Sequence, residues 1–187
     1  MRYLLQSYHT LILLLLTLPS IAFSIDTPPA PTGFTWYTAK NGVGTFLKPD
    51  GWYVLEETKG NTKAIFISRE NIKKHGKLVI GFSINRITSY SSSSSIKASE
   101  YAKVFIQQII DKYEVVTSGV VKGGSTDMNV ARVKVDNAGV ITITHHISIG
   151  MDDRDELYLI SFEAPESEWE TYYETAGKIL NYIILGS

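Results

Sequence analysis

Residues 128–164, MNVARVKVDNAGVITITHHISIGMDDRDELYLISFEA, decide the fold. The stretch holds three strand-like runs, 128–135, 140–149 and 157–164, separated by two reversals. Asp136-Asn137-Ala138-Gly139 is hairpin chemistry, because Asn and Gly tolerate the positive φ that tight turns need. Gly150 to Glu156 makes the second reversal. Strands joined by links this short run antiparallel, since a parallel pair needs a crossover of a dozen or more residues. A run at 115–122, closed by Gly123-Gly124-Ser125, places one more strand ahead of them. The result is a meander.

Upstream, residues 77–87 read as a long strand. Leu78, Ile80, Phe82 and Ile84 fall on one face, with Gly81, Ser83 and Asn85 on the other beside Val79, which predicts one well-buried face. Shorter strands are expected at 34–37, 43–47, 52–56 and 64–68. Pro49-Asp50-Gly51 and Lys59-Gly60-Asn61 supply turns between them. Residues 89–95 are six serines and Tyr90. A tract with so little to bury reads as a mobile loop.

Two segments have helical spacing. Ala98, Tyr101, Ala102, Phe105, Ile106, Ile109, Ile110 and Tyr113 step by three and four, forming an apolar stripe made for a sheet face. Ser95 is the expected N-cap. Near the C-terminus, Ser167 and Glu170 have the spacing of a capping box. Trp169, Tyr172, Tyr173, Ala176, Ile179, Leu180 and Ile183 form the stripe behind it, and Gly177 is expected to allow close approach to the sheet.

Residues 1–24 read as a secretory signal peptide. Arg2 gives the positive start, residues 11–18 are apolar apart from Thr17, and small residues follow. Cleavage is expected after Ala22 or Ser24. Residues 25–33 hold Pro28, Pro29 and Pro31 and read as an extended lead-in. Residues 34–187 then suit a single globular domain. A net charge of −1 argues against a nucleic-acid partner. The absence of cysteine removes thiol nucleophiles, Cys-ligated zinc, structural disulfides and a lipidated cysteine. No further apolar run approaches the roughly 20 residues of a membrane span, so no stable anchor is expected once the leader is cleaved.

The order of elements resembles a known family. A strand, Lys48-Pro49-Asp50-Gly51-Trp52, a strand pair, a long strand, a helix from Ala98, a meander, then Phe162-Glu163-Ala164-Pro165 and a closing helix ending Ile179-Leu180-Asn181 is similar to the PsbP/Mog1-like superfamily over residues 43–182. The resemblance implies an α+β fold: an α/β/α sandwich with a central, mainly antiparallel sheet and two principal helices. It also implies a binding or assembly accessory and no enzyme. No residue-level role carries over.

The residues themselves offer few candidates for chemistry. His145 and His146 are adjacent on a strand, so they point to opposite faces and cannot chelate one ion together. His145 follows Ile141 and Ile143 and is expected partly buried and hydrogen-bonded. His146 follows Thr142 and Thr144 and is expected to face solvent. Asp152, Asp153, Asp155 and Glu156 crowd one turn, but the spacing is not that of an EF-hand and Arg154 interrupts it. A solvated acidic tip is the expectation there. Glu56-Glu57 reads as an exposed strand end. No Gly-x-Ser-x-Gly elbow and no dinucleotide loop occurs.

No catalytic, cofactor-binding or metal-binding residues are therefore assigned, and no cofactor is expected. Trp36, Tyr37, Tyr53 and Tyr90, at strand ends or loops, together with His146, are the candidate binding surface. The expected function is an exported, periplasmic or secreted, non-enzymatic module that binds another protein or envelope component. Two alternatives stand beside it: a small-ligand carrier using a cavity between helix and sheet, and a hydrolase using His146 with nearby carboxylates.

Overall fold

Alternation and turn chemistry set the strands of this chain, and two amphipathic stripes set its helices. The computed structural model describes residues 27–123 and 126–186. The expected leader, 1–24, and both cleavage sites lie outside them. In chain order the strands are β1 (Phe34–Thr38), β2 (Gly44–Pro49), β3 (Tyr53–Lys59), β4 (Thr62–Ser68), β5 (Gly81–Thr88), β6 (Glu114–Val121), β7 (Met128–Asn137), β8 (Val140–Met151), β9 (Glu156–Pro165) and β10 (Ile184–Leu185). The helices are α1 (Ile72–His75), α2 (Ala98–Lys112) and α3 (Trp169–Asn181).

Seven strands form one sheet in the order β3-β4-β5-β9-β8-β7-β6. Every neighbouring pair is antiparallel. The meander expected from residues 115–164 is the β6-β7-β8-β9 half. The α2 crossover carries the chain from β5, mid-sheet, to β6 at the far edge. A separate three-stranded sheet, β1-β2-β10, packs with α3 over one face. On that face Phe162 lies 5.0 Å from Phe82 and 5.4 Å from Trp169, ring centre to ring centre. Ile84, Ile160, Ala176, Ile179, Phe46 and Leu47 complete the core. Each large side chain buried there contributes about 1.5–3 kcal/mol.

On the opposite face, α2 lies mainly over β8 and β7 and reaches β9 and β6. Ala98, Ala102 and Ile106 are its buried residues. The helix approaches β8 very closely: Ser148 Oγ donates to the Ala102 carbonyl at 2.6 Å. A Cβ on Gly150 would collide with the Ala98 backbone, so glycine is required there.

Several local expectations are corrected. The expected single sheet is accompanied by the smaller one. The 77–87 strand begins only at Gly81, because Ile80 N–H donates to Glu70 Oε1 and its carbonyl accepts from Arg69 N–H. These bonds hold the preceding residues in a loop. Ser95 does not cap α2. The N-cap is Lys97, with no side-chain cap bond. Ser99 N–H and Oγ instead donate to Asp152 Oδ1 and Oδ2, at 2.9 and 2.7 Å, from the β8–β9 hairpin. The serine tract is not a free loop. Tyr90–Ser92 is a 3-10 turn, and Ser91 N–H and Oγ donate to Asp155 at 2.8 and 2.7 Å. The acidic tip therefore supplies acceptors to two helix starts, whose N–H groups lack internal partners. The Ser167–Glu170 box does not form, because Pro165 leads into a 3-10 turn at Glu166–Glu168 and α3 starts at Trp169. Gly177 has open space where a Cβ would stand, so no close approach requires it.

Candidate binding face

The strand register places one row of side chains straight across the α2 face of the sheet. Leu55 stands opposite Phe66, Phe66 opposite Ser83, Ser83 opposite Ser161, and Ser161 opposite His146. All five are half-buried. α2 begins to cover the row at His146, where the Phe105 ring sits edge-on at 6.1 Å. The β3-β4-β5 half of this face lies beyond α2. Asn85 and Leu159 form part of a neighbouring row, and Asn85 Nδ2 donates to Ser83 Oγ at 3.1 Å. Tyr53 and Glu163 lie on the row at the other side.

The face is polar but nearly uncharged. Burial pushes His146 down to about 4, so its ring is neutral at neutral pH. Burial, and then the neighbouring Glu70, push Glu163 up to about 7. Glu57 and Lys59 stand at the β3 edge. The half-exposed patch of Leu, Phe, Ser and Asn has its charge at the margin, and a low-charge centre within a polar rim is the arrangement of a protein interface.

The five residues singled out from sequence are not brought together. Tyr53 is exposed, and with His146 it borders the open face. His146 is covered by Phe105 and does not face solvent as expected. Adjacent strand residues do point apart, but both faces of β8 are packed, so each histidine is half-buried. His145, on the α3 face beside Tyr173, is also pushed down to about 4, by burial first and then by Arg132 and His146. Its buried Nδ1 has no hydrogen-bond partner, contrary to the expected satisfied ring.

Tyr90 is buried against Tyr101, ring centres 5.6 Å apart, and lines a hollow at the start of α2 together with Ile96 and Asp155. Trp36 and Tyr37 belong to the small sheet. Trp36 Nε1 donates to the Pro28 carbonyl at 2.7 Å and so pins the lead-in. Tyr37 Oη donates to Glu56 Oε1 at 2.6 Å. Burial and this carboxylate push the Tyr37 hydroxyl up to about 12. Burial acts to raise the Glu56 carboxyl, but bonds from Tyr37, Asn41 and Lys40 hold it below its usual range. Glu56 is thus a tie between the two sheets and not a free strand end.

A hydrolytic site would need His146 bonded to a carboxylate or hydroxyl. Ser161 is its direct cross-strand neighbour and Glu163 is diagonal to it, yet no hydrogen bond joins the three. The open face was legible only in fragments. The alternation Phe82/Ile84 against Ser83/Asn85 marked a polar face, and Ile160/Phe162 against Ser161/Glu163 repeats it. The pairing of β5 with β9, distant in sequence, is what joins them.

No family model matches this chain, and no curated protein does. Solved structures do match. Cyanobacterial PsbP (CyanoP) from Synechocystis sp. PCC 6803 superposes with TM-score 0.52 and 11% identity, over 83% of this chain and 94% of that one. LpqN, involved in cell envelope biogenesis of Mycobacterium tuberculosis, gives TM-score 0.51 and 11% identity, over 82% and 91%. The Saccharomyces cerevisiae Ran-binding protein Mog1p gives 0.49 and 12%, over 81% and 95%. The chain shares the fold of CyanoP and LpqN: an α+β arrangement in which a large antiparallel sheet carries a smaller sheet and two main helices.

Proposed function

We propose that this protein is an exported accessory module of the cell envelope that binds another protein through the open half of the α2 face. The carrying observation is the Leu55-Phe66-Ser83-Ser161-His146 row, half-exposed and uncharged, on a rigid sheet. A preformed sheet surface suits a folded protein partner better than a small molecule, because the hollow at its β3 end, lined in part by Tyr53, Leu55 and Ile72, is only about 130 Å³ and smaller than a small-molecule site. The envelope assignment rests on the leader-like residues 1–24. The likeness in fold to CyanoP and LpqN, the latter involved in envelope biogenesis, is in keeping with it.

In-cell photo-crosslinking tests the reading. A photoreactive amino acid at Asn85 should give one discrete adduct in the envelope fraction. The same group at Glu100, exposed on the outer side of α2, should not. Equal labelling from both positions, or none from Asn85, would overturn the proposed surface. N-terminal sequencing of the envelope-fraction protein should begin at Phe23 or Ile25. A chain retaining Met1 in the cytoplasm would overturn the export.

A further inference from the structure

The two edges of the seven-stranded sheet are not alike. β3 carries Glu56, Glu57 and Lys59, and charged side chains are a common means of blocking edge-to-edge pairing. β6 carries one charged residue, Glu114 at its first position, and among the described residues no strand pairs with its outer side. All eight residues are exposed. Val115, Val116, Val120 and Val121 are each between 39% and 52% accessible. An unpaired, valine-rich edge is a template for another strand.

The sequence of this edge says which strand. Residues 114–122 read Glu-Val-Val-Thr-Ser-Gly-Val-Val-Lys. About Ser118 the order is nearly symmetric, and the ends carry opposite charges. We infer that β6 pairs antiparallel with β6 of a second copy about a two-fold axis at Ser118, joining two sheets into one of fourteen strands. This isologous register sets Ser118 against itself, Thr117 against Gly119, Val116 against Val120, and Glu114 near Lys122 of the other copy. Glu114 and Lys122 side chains are 73% and 78% exposed; each has one partner within the chain, Lys134 at 3.8 Å and Asp127 at 2.7 Å, and keeps room for a second across the seam. A parallel pairing in register would set like charge on like. The bulge between Val115 and Thr117 falls inside the paired segment, once in each half by symmetry; it leaves Thr117–Val121 in regular register with β7 and shifts the outer pairing, so Glu114 comes near Lys122 without standing directly opposite it.

The axis runs perpendicular to the sheet, so both α2 helices lie on the same side. Beside β6, α2 leaves an open groove of about 420 Å³ that includes Ile106, Ile110 and Val120 in its lining. Pairing sets the two grooves side by side. One strand pair alone buries less than the roughly 1,200 Å² typical of stable interfaces, so the dimer should be concentration-dependent.

The cysteine-free chain allows a clean test on the full-length protein. Directly opposed residues on antiparallel strands have Cα atoms about 4.5–5.5 Å apart, within disulfide reach. Ser118→Cys should therefore give a covalent dimer under mild oxidation. Glu114→Cys should not, because its two copies would lie about 26 Å apart, eight residues along the strands. In sedimentation velocity the wild type should shift from monomer to dimer as concentration rises. Val120→Lys should stay monomeric, while Val104→Lys, exposed on α2, should not differ from wild type. Glu114→Lys or Lys122→Glu alone should weaken the dimer at least several-fold, and the two together should restore it. A wild type monomeric at every concentration would overturn the inference. So would equal cross-linking from positions 118 and 114, a dimer unaffected by Val120→Lys, or a charge swap without rescue.

Discussion

Arg86→Met should open the small sheet before the large one. Arg86 stands on β5 with its side chain only 8% exposed. One guanidinium nitrogen donates to the Gly42 carbonyl at 2.5 Å, in the β1–β2 hairpin, and another bonds to the Glu156 carboxylate, itself 8% exposed. Arg154 stands 3.0 Å from the other Glu156 oxygen, close enough for attraction but not aligned as a hydrogen bond. Arg154 also donates to the Gly186 carbonyl just beyond β10. A Cβ at Gly186 would strike the Gly42 carbonyl oxygen. The cluster therefore clamps one end of the small sheet, where the β1–β2 hairpin meets the end of β10, onto the strands of the large one.

Removing one partner of a buried ion pair costs about 3–5 kcal/mol, chiefly because the other charge stays buried and unpaired. Arg154 remains near Glu156, so the lower end applies, about 3 kcal/mol. For a domain of this size each kcal/mol shifts the melting temperature by about 2–4 °C, giving a fall of roughly 6–12 °C. Glu156→Leu strands Arg86 instead and should cost a similar amount. The Arg86→Met/Glu156→Leu double variant should cost clearly less than the two singles together, because neither charge is then left alone. Thermal melts give the energies, and hydrogen exchange gives the location. Amides of β1, β2 and β10 should exchange faster in Arg86→Met, while those of β8 and β9 change little. Strict additivity of the two substitutions, or exchange that accelerates uniformly, would refute the clamp.

Three further outcomes are expected. Asp152→Ala removes the acceptor for Ser99 at the start of α2 and should cost about 1 kcal/mol, a melting-temperature fall of about 2–4 °C, whereas Asp153→Ala, for which no such bond is seen among the described residues, should leave the melt unchanged. Gly177→Ala, mid-helix with open space around it, should stabilise by about 0.5–1 kcal/mol in denaturant titration; destabilisation would show that the space is used. Because Glu163 is raised from 4.5 to about 7 in the fold, the native state binds its proton more tightly than the unfolded chain, so its contribution to stability is lost as pH rises from about 4.5 through 7. The melting-temperature advantage of Glu163→Gln over wild type should grow across that window, and a pH-independent difference would rule the ionisation out.

What the sequence made legible follows the range of the interactions involved. The meander was readable because its signals are local: alternation within a strand and a turn immediately after it. Both helix stripes were readable for the same reason. The helix starts were not. Ser95 and Ser167 had the right chemistry and spacing, but Asp152 reaches α2 from 53 residues away, and the 3-10 turn after Pro165 displaced the local box. An acidic turn looks alike in sequence whether its carboxylates face water or satisfy backbone N–H groups. Only the register that brings the β8–β9 tip beside α2 and Tyr90 decides.

The same reasoning explains why aromatic residues were poor guides to the candidate surface. Trp36, Tyr37 and Tyr90 sit near turns in sequence, yet each found a partner in a neighbouring segment: the Trp36 and Tyr37 polar tips bond Pro28 and Glu56, and the Tyr90 ring packs at a tilt against Tyr101. A large ring left in water forfeits a burial term of about 1.5–3 kcal/mol, so folding draws such rings inward wherever topology allows. The residues left half-exposed on the open face are instead small and polar, Ser83, Asn85 and Ser161, with Leu55 and Phe66 beyond the reach of α2. They became a surface because one helix is narrower than seven strands, and a 15-residue α2 docked on β7 and β8 cannot also cover β3 to β5. A substitution that moved α2 toward β5 would close this face, so binding there depends on the anchors that hold the helix start in place, Gly150 and Asp152.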